Sequence, residues 1–569
     1  MLTRILIRNF KRFAEVEIPL GNPVVFVGPN NSGKSTALQA LTLWHVGVQR
    51  WLEKRGEEVP EKRPGVTINR RDLVAVPVPS ANLLWRDLHV REMQRAAGKL
   101  KTQNIRIEIE VEGVTGLSPW KCGLEFDYAN EESIYCRPLR SAEGRMPVPR
   151  EAGEVKVAYL PPMSGLASQE VRLDVGAVNV RIGEGRTAEV LRNLCYRLVS
   201  EPAFAGRWEQ LARHIGTLFL VELREPKYIP ERGEITMAYR EQGRRYDLDI
   251  SAAGRGLHQV LLVLAYLYAN PGAVLLLDEP DAHLEILRQR QIYRVLVEVA
   301  AQQNSQVIAA SHSEVLLNEA ADRHLVVAFV GRPHPLANRG SQVYKALRSY
   351  GFEHYYQAET QGWVLYLEGS TDLAVLRAFA RLLHHPAEQH LERPFVHYVQ
   401  NQPQRARDHF FALREAKPDL VAVALFDRLE TRPRSEDDLT MLVWERREIE
   451  NYLVSPEALL AWAGESQPAL YAEAARKVMQ ECLDDLIPRV ALSDRSHRWW
   501  SEQRASEFLD ELFREYFKRQ GLPNLMDKND YHELVRYLDP AAVSEEVIEK
   551  LDAIQQVAQR ALPAEWEPA

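Results

Sequence analysis

The 569-residue sequence contains no apolar run approaching eighteen residues, so no segment of it reads as a membrane span. Its polar, arginine-bearing start, MLTRILIRNFKRF, lacks the hydrophobic core of a signal peptide. Both absences lead to the expectation of a cytoplasmic protein with no membrane partner. Cysteine is scarce: Cys122, Cys136, Cys195 and Cys482 are scattered without a CxxC pair, which argues against a disulfide framework or a zinc site. Fixed-period repeats and low-complexity segments are missing as well. So is any excess of positive charge, the net charge being −8. That excludes a small, uniformly basic nucleic-acid-binding module. It leaves room for an enzyme that concentrates arginine in one groove, because the field that matters is local.

What is present is an ordinary globular composition, 46% hydrophobic and 26% charged, over a length that suits two to four domains. The charged, proline-bearing stretch WLEKRGEEVPEKRPG (51–65) reads as an exposed loop or insertion. Residues 3–27 read as two strands: TRILIRNFKRF alternates, and EVEIPLGNPVVFV closes on a buried run.

Directly after that run stands GPNNSGKST (28–36), with GxxxxGK[ST] spacing between a strand and a helix. Gly28 and Gly33 allow the backbone to wrap a phosphate, with Asn30, Asn31 and Ser32 completing the loop and Thr36 entering the helix. Lys34 is expected to neutralise the β- and γ-phosphates of ATP, and Ser35 to offer its hydroxyl to Mg2+. Far downstream, AVLLLDEPDAHLE (273–285) is an apolar strand ending in Asp278 and Glu279. Asp278 suits the Mg2+ shell, and Glu279 is placed to orient or deprotonate the attacking water. ISAAGRGLHQVLLVLAYLY (250–268) puts Ser251, Gly254, Gly256 and Gln259 at the start of a long apolar helix, where a phosphate is well received. QVIAASHSEVL (306–316) is a further strand with His312 just past its end, within reach of a γ-phosphate.

In chain order, 28–36, 250–268, 273–285 and 306–316, the four motifs resemble the Walker A, signature, Walker B and switch-histidine elements of ABC-type ATPases of the SMC/RecF branch. The resemblance implies ATP sandwiched between two heads, Ser251 of one completing the site around Lys34 of the other, hence a homodimer or larger even oligomer. A Q-loop glutamine is expected after INRRDL (68–73), where none is evident. No long heptad array separates the half-motifs. Short strands (NIRIEIEVEG, KCGLEFDY, EITMAYREQ) and the helical stretch TAEVLRNLCYRLVS (187–200) indicate a compact head with a modest insertion at about 187–220, read as a dimer surface. YLPPMSGL (159–166) reads as a turn-rich connector without assigned chemistry.

A new α/β pattern begins at GWVLYLEGSTDLAVLRAFARLL: a strand Val364–Leu367, the acid Glu368, a glycine turn and an amphipathic helix with Asp372 in its first turn. By itself that is also what a helix capped by Thr371 looks like. The next buried run, VAVALF, ends at Asp427, so two neighbouring strands of a parallel sheet are expected to deliver acids to its carboxyl edge. WERREIENYLVSPEALL (444–460) adds Glu448 and Glu450, and carboxylates on separate elements suit Mg2+ or Mn2+. Arg405, Arg407, Arg428, Arg432 and Arg434 lie nearby in sequence, either as phosphate holders or as solvated loop charge.

YLEGSTD followed by a strand ending in Asp is similar to the Toprim domain, and an ABC-type head joined to a Toprim resembles the OLD (overcoming lysogenization defect) family nucleases, relatives of the Gabija defence nuclease. The resemblance implies Glu368, Asp372 and Asp427 as metal-binding acids and Glu450 in preference to Glu448. It also implies Lys528, in NLMDKNDYHELVRYL (524–538), as a catalytic cation. The sequence departs from the family's DxD at Leu429. Glu430 replaces the second acid, or Glu450 carries the second metal alone, or the site is degenerate.

The resulting expectation is α/β throughout: an ABC-type P-loop head at 1–355, a Toprim-like, Rossmann-like domain at 356–456, and a helical appendage at 457–569 completing that half. The function implied is ATP-regulated, metal-dependent cleavage of nucleic acid, DNA first and RNA second, in anti-phage defence, with a phage or defence-system protein as partner. The alternative is an ATPase sensor or scaffold with a worn Toprim.

Overall fold

The computed structural model describes residues 1–56, 65–73, 76, 78–96, 99–141, 144–321, 323–336, 350–465 and 471–564. The chain divides into two compact units, Met1–Gly340 and Ser341–Ala564.

In the first unit, alternation drives an antiparallel six-stranded sheet in the order Phe13–Pro19, Leu2–Phe10, Ile107–Thr115, Ser118–Asn130, Ser133–Pro138, Val66–Asn69. The sequence LGNP interrupts the second expected strand, so Val24–Val27 leaves that sheet and joins another. Three strands therefore stand where two were expected. The second sheet runs Val157–Leu160, Val274–Asp278, Gln306–Ser311, Val24–Val27, Leu325–Ala328, His334–Pro335. Its first five strands are parallel and nearly continuously apolar, as strands covered on both faces must be. Val24, Phe26, Leu276 and Ile308 face the antiparallel sheet and the helix Lys34–Arg55, in one core. Leu275, Leu277, Val307 and Ala309 face a second core built with the helices Leu191–Ser200, Arg207–Phe219 and Arg255–Ala269. The apolar stripe of the 187–220 insertion is thus spent inside its own unit.

Of the stretch expected as a loop at 51–65, Trp51–Arg55 continues the helix with Trp51 buried; residues 57–64 lie outside the described residues. Residues 74, 75 and 77, part of the segment searched for a Q-loop glutamine, also lie outside them.

The second unit holds a four-stranded, fully parallel sheet in the order Val396–Tyr398, Trp363–Leu367, Val421–Phe426, Leu439–Val443. Trp363, Leu365, Leu367, Val421, Val423 and Leu425 turn to one face, and Val364, Tyr366, Ala422, Ala424 and Phe426 to the other. The first face is covered by the helices Ser370–Leu382, Ala505–Arg519 and Glu545–Arg560, which share one core with it. The C-terminal helices are therefore a layer of this unit and not an appendage standing off it. Among the described residues, no helix is long and apolar enough to cross a membrane.

Candidate functional site

Each unit gathers chemistry-bearing side chains. In the first, the loop after Val24–Val27 turns into the helix Lys34–Arg55 through Asn31 (φ 60°) and Gly33 (φ 102°), both left-handed. A side chain cannot be added at the two glycines. A Cβ on Gly28 falls 2.7 Å from the Phe329 carbonyl oxygen, and one on Gly33 falls 2.7 Å from the Phe13 ring. Gly28→Ala should therefore displace a backbone carbonyl, costing about 1–3 kcal/mol, and lower both the melting temperature and the affinity for ATP.

Lys34 is buried, and its Nζ donates to the carbonyls of Gly28 and Pro29, 2.8 Å each. Burial pushes its pKa down, against the pull of Glu279, Asp278 and Asp281. Asp278 closes the adjoining strand; burial raises its carboxyl, while hydrogen bonds from Ser35 and Tyr159 oppose the rise. The Ser35–Asp278 pair brings together the two groups expected around Mg2+. Ser32 Oγ is buried with no protein partner among the described residues, which suits a donor to a phosphate oxygen. These observations fit an ATP–Mg2+ complex held by the loop, Lys34, Ser35 and Asp278. Asn30 and Asn31 are exposed on the loop, and Thr36 lies in the helix's first turn.

Glu279 adopts φ 50°, unusual for a non-glycine residue, with its N–H bonded to the Ala310 carbonyl at 2.8 Å. That conformation turns its side chain toward His312, whose Nδ1 lies 3.4 Å from Glu279 Oε1. Gln259, buried in the helix Arg255–Ala269, donates to the carbonyls of Glu279 and Pro280 at 3.3 and 3.4 Å. Ser251 and Gly254 are exposed, and the Ser251 hydroxyl donates to Asp249 at 2.6 Å. Gly256 packs near Leu284 at the start of the same helix.

Sequence reasoning missed Tyr159, placed in a segment without assigned chemistry. Its hydroxyl donates to Asp278 Oδ2 at 3.2 Å, and it also bonds Gln39, which accepts from Lys11 Nζ at 2.6 Å. Burial brings the Lys11 ammonium down to about 8. The available signal was the short apolar run VAYL, which marks a buried strand but not its neighbour in the sheet.

In the second unit, Glu368 and Asp427 follow the C-terminal ends of adjacent parallel strands. Asp372 sits at the third position of the helix Ser370–Leu382, accepting from the N–H groups of Glu368 (3.0 Å) and Gly369 (3.3 Å). The N-cap position is Gly369, and Thr371 lies inside the helix. Burial holds Asp372 up at about 6, with Glu368 adding to the rise and Lys528 reducing it. Asp427 is raised strongly, first by burial, then by its hydrogen bond to Glu368 and the charges of Glu368, Asp372 and Glu450. Glu450, in the short turn Ile449–Tyr452, is 4% exposed and raised to about 7 by burial, with Lys528 lowering it. Lys528 Nζ lies 3.4 Å from Glu450 Oε1.

Glu368, Asp372, Asp427, Glu450 and Lys528 are therefore one electrostatic set. Glu448 is not equivalent to Glu450: its carboxylate caps the helix Ala505–Arg519 through the Ser506 N–H at 2.5 Å. Glu430 is exposed, and the carboxyls acting most strongly on Asp427 are those of the other three positions. Leu429 packs with Val443 against the core that holds Tyr366 and Phe410, which explains an apolar residue there. Arg407 is bound to the Arg434 carbonyl (2.8 Å) and Arg405 to Gln400 (2.8 Å), while Arg428, Arg432 and Arg434 are exposed. Arg504, overlooked in the sequence, pairs with Glu507 at 3.0 Å, and feels Glu448 and Glu368 more weakly.

Four carboxyls, three of them raised by burial and by neighbouring charge, offer the oxygen donors a divalent cation takes, and a cation would offset that penalty; among the described residues their ligand atoms do not converge as closely as those of His354, His397 and His409.

Two family models match parts of the first unit. Residues 1–45 match "AAA ATPase domain", and residues 173–318 match "AAA domain, putative AbiEii toxin, Type IV TA system". No curated protein matches the chain. Similar solved structures include an Smc head bound to the C-winged helix domain of ScpA, 14% identical, covering 59% of this chain and 97% of that one with a TM-score of 0.35. The SMC head domain from Thermotoga maritima is 18% identical (59% and 99% covered, TM-score 0.31). An Smc head with an extended coiled coil, bound to the C-terminal domain of ScpA derived from Pyrococcus furiosus, is 14% identical (61% and 98% covered, TM-score 0.32). With the motif geometry, the family matches establish an ATP-binding P-loop ATPase domain of AAA/ABC type in the first unit.

Proposed function

We propose that the protein is an ATP-regulated, divalent-metal-dependent nuclease of OLD type, its second unit a Toprim domain that cleaves DNA. The observation that carries this reading is that Glu368 and Asp427, at the carboxyl ends of adjacent parallel strands, are electrostatically coupled to Asp372 and Glu450, the last 3.4 Å from Lys528 Nζ. Glu368, Asp372, Asp427 and Glu450 would hold Mg2+ or Mn2+, which when bound supplies Lewis acidity toward a phosphodiester and an activated water. Lys528 offsets charge on the cleaved phosphate, and the exposed Arg428, Arg432, Arg434 and Arg504 hold backbone phosphates of the substrate.

In the ATPase unit, Lys34, Ser35 and Asp278 bind the nucleotide with its Mg2+, and Glu279 with His312 positions the attacking water. The exposure of Ser251 and Gly254 supports their engaging ATP held by a second copy, hence a homodimer or larger even assembly. A role in anti-phage defence draws support from the AbiEii toxin named in the matched family's description. A phage or defence-system protein is the corresponding partner.

One observation favours a second reading, an ATPase sensor or scaffold with a degenerate Toprim: Leu429 is half-buried against the core and Glu430 is exposed. Supercoiled plasmid and single-stranded RNA incubated with Mg2+ or Mn2+, with and without ATP, separate the readings. Metal-dependent nicking of plasmid supports the DNA nuclease, and cleavage confined to RNA redirects the substrate. ATP hydrolysis without cleavage of either favours the sensor. Within the nuclease reading, Lys528→Ala should slow cleavage about 10–100-fold and leave ATP hydrolysis unchanged.

A further inference from the structure

The second unit contains a cluster that neither the ATPase nor the carboxyl set uses. His354 from the helix Phe352–Gln361, His397 from the strand Val396–Tyr398 and His409 from the helix Pro403–Arg414 converge. One ring nitrogen of each lies within 4.8 Å of the others. His409 is fully buried and the other two are half-buried. The cluster lies on the sheet face of Tyr366 and Phe395, opposite the face of Leu365 and Leu367. His354 Nδ1 is 2.7 Å from His409 Nε2, and the Tyr366 hydroxyl is 2.8 Å from His409 Nδ1. The His397 and His409 rings stack at 3.9 Å, and Tyr350 stands edge-on to His409 at 4.6 Å.

We propose that His354, His397 and His409 bind one transition-metal ion of the zinc class. Three imidazoles from three elements are a nitrogen donor set suited to Zn2+, Co2+ or Ni2+ and poorly suited to Mg2+. A metal ion takes the neutral imidazole, and one ring nitrogen of each of the three histidines already lies within 4.8 Å of the others. Tyr366 supplies an outer partner: with His409 Nε2 on the ion, the Nδ1–H donates to the tyrosine oxygen and fixes the ring. Two nitrogens on a tetrahedral ion sit roughly 3.3 Å apart, so His354 and His409 separate by about half an ångström on binding, within the reach of side-chain rotation. Scarce cysteine had argued against zinc, but that argument concerns thiolate sites and is silent about imidazoles.

The competing arrangement is a chain of hydrogen bonds, Tyr366 O–H to His409 to His354, with no ion. This inference does not depend on the nuclease reading, because the two donor sets share no residue. Metal-stripped full-length protein is titrated with Co2+ while tetrahedral visible absorption is followed, and Zn2+ is then added in competition. The expected result is one equivalent per chain, displaced by Zn2+. Affinity should be reduced at least about 100-fold in His354→Gln and in His397→Gln and unchanged in Glu368→Gln. Zn2+ should also raise the melting temperature of the wild-type protein but not of folded histidine variants. Absence of the absorption in wild-type protein overturns the proposal in favour of the hydrogen-bonded chain. So does absorption that survives both histidine variants, or that disappears instead in Glu368→Gln.

Discussion

Glu279→Gln should bind ATP about as tightly as the parent protein yet hydrolyse it about 10²–10³-fold more slowly, whereas Lys34→Ala should fail to bind it. The two side chains lie close together but act on different quantities. Lys34 is buried at the base of the loop and already hydrogen-bonded to two of its carbonyls, so it is positioned to meet phosphate charge in the ground state. Its removal takes away binding itself, together with the only lysine in the motif. Glu279 is half-buried beyond the end of Val274–Asp278, its backbone fixed at φ 50° by the bond to Ala310. Glutamine retains its size and its approach to His312 but cannot accept the water's proton. Nucleotide binding by fluorescence titration and phosphate release in the same preparations read the two effects separately. Equal hydrolysis by Glu279→Gln and wild-type protein would remove Glu279 from the role of base.

Asp427→Asn should abolish strand cleavage, by at least about 10³-fold, while ATP hydrolysis stays within about twofold of the parent. The same variant should melt at a higher temperature than wild-type protein when metal is absent. Burial, the hydrogen bond to Glu368 and the charges of Glu368, Asp372 and Glu450 hold the Asp427 carboxyl protonated in the folded, metal-free protein, so at neutral pH folding must take up a proton that an amide of the same shape does not need. Each kcal/mol relieved corresponds to roughly 2–4 °C in a unit of this size. Mn2+ should then raise the melting temperature of wild-type protein more than that of the variant. A site kept only for structure would show the opposite pattern, with Asp427→Asn neutral or destabilising and insensitive to Mn2+.

The ATPase half was readable because its chemistry sits in short contiguous motifs, and each motif carries its own strand–loop–helix signature. Gly28, Lys34 and Asp278 were singled out from local spacing, and His312 from its order behind the other three motifs. Tyr159 and Gln39 were not, since their role depends on sheet order: Val157–Leu160 lies beside Val274–Asp278, more than a hundred residues away. The strand expected at 15–27 was read as continuous because local apolarity does not reveal that Gly21 and Pro23 pass the chain from one sheet to another.

In the second unit, the carboxyls ending two apolar runs were legible, while their convergence with Glu450 and Lys528 required the tertiary fold. Glu448 and Glu450 are alike in sequence; only the helix that begins at Ala505 assigns one to a cap and leaves the other with Lys528. Leu429 read as a gap in an acidic motif, and its packing against the core of Tyr366 and Phe410 shows what holds an apolar side chain at that position. The histidine cluster left no sequence signal, because its members are 43 and 12 residues apart on three different elements.

The most direct measurement is nicking of supercoiled plasmid in Mn2+ by wild-type and Asp427→Asn protein, each first shown to hydrolyse ATP at the same rate. The expected result is open-circular and linear product from the wild-type protein and intact supercoiled plasmid with the variant. Equal cleavage by both, or none by either in any divalent metal with ATP present or absent, would contradict a metal-dependent nuclease built on these carboxyls.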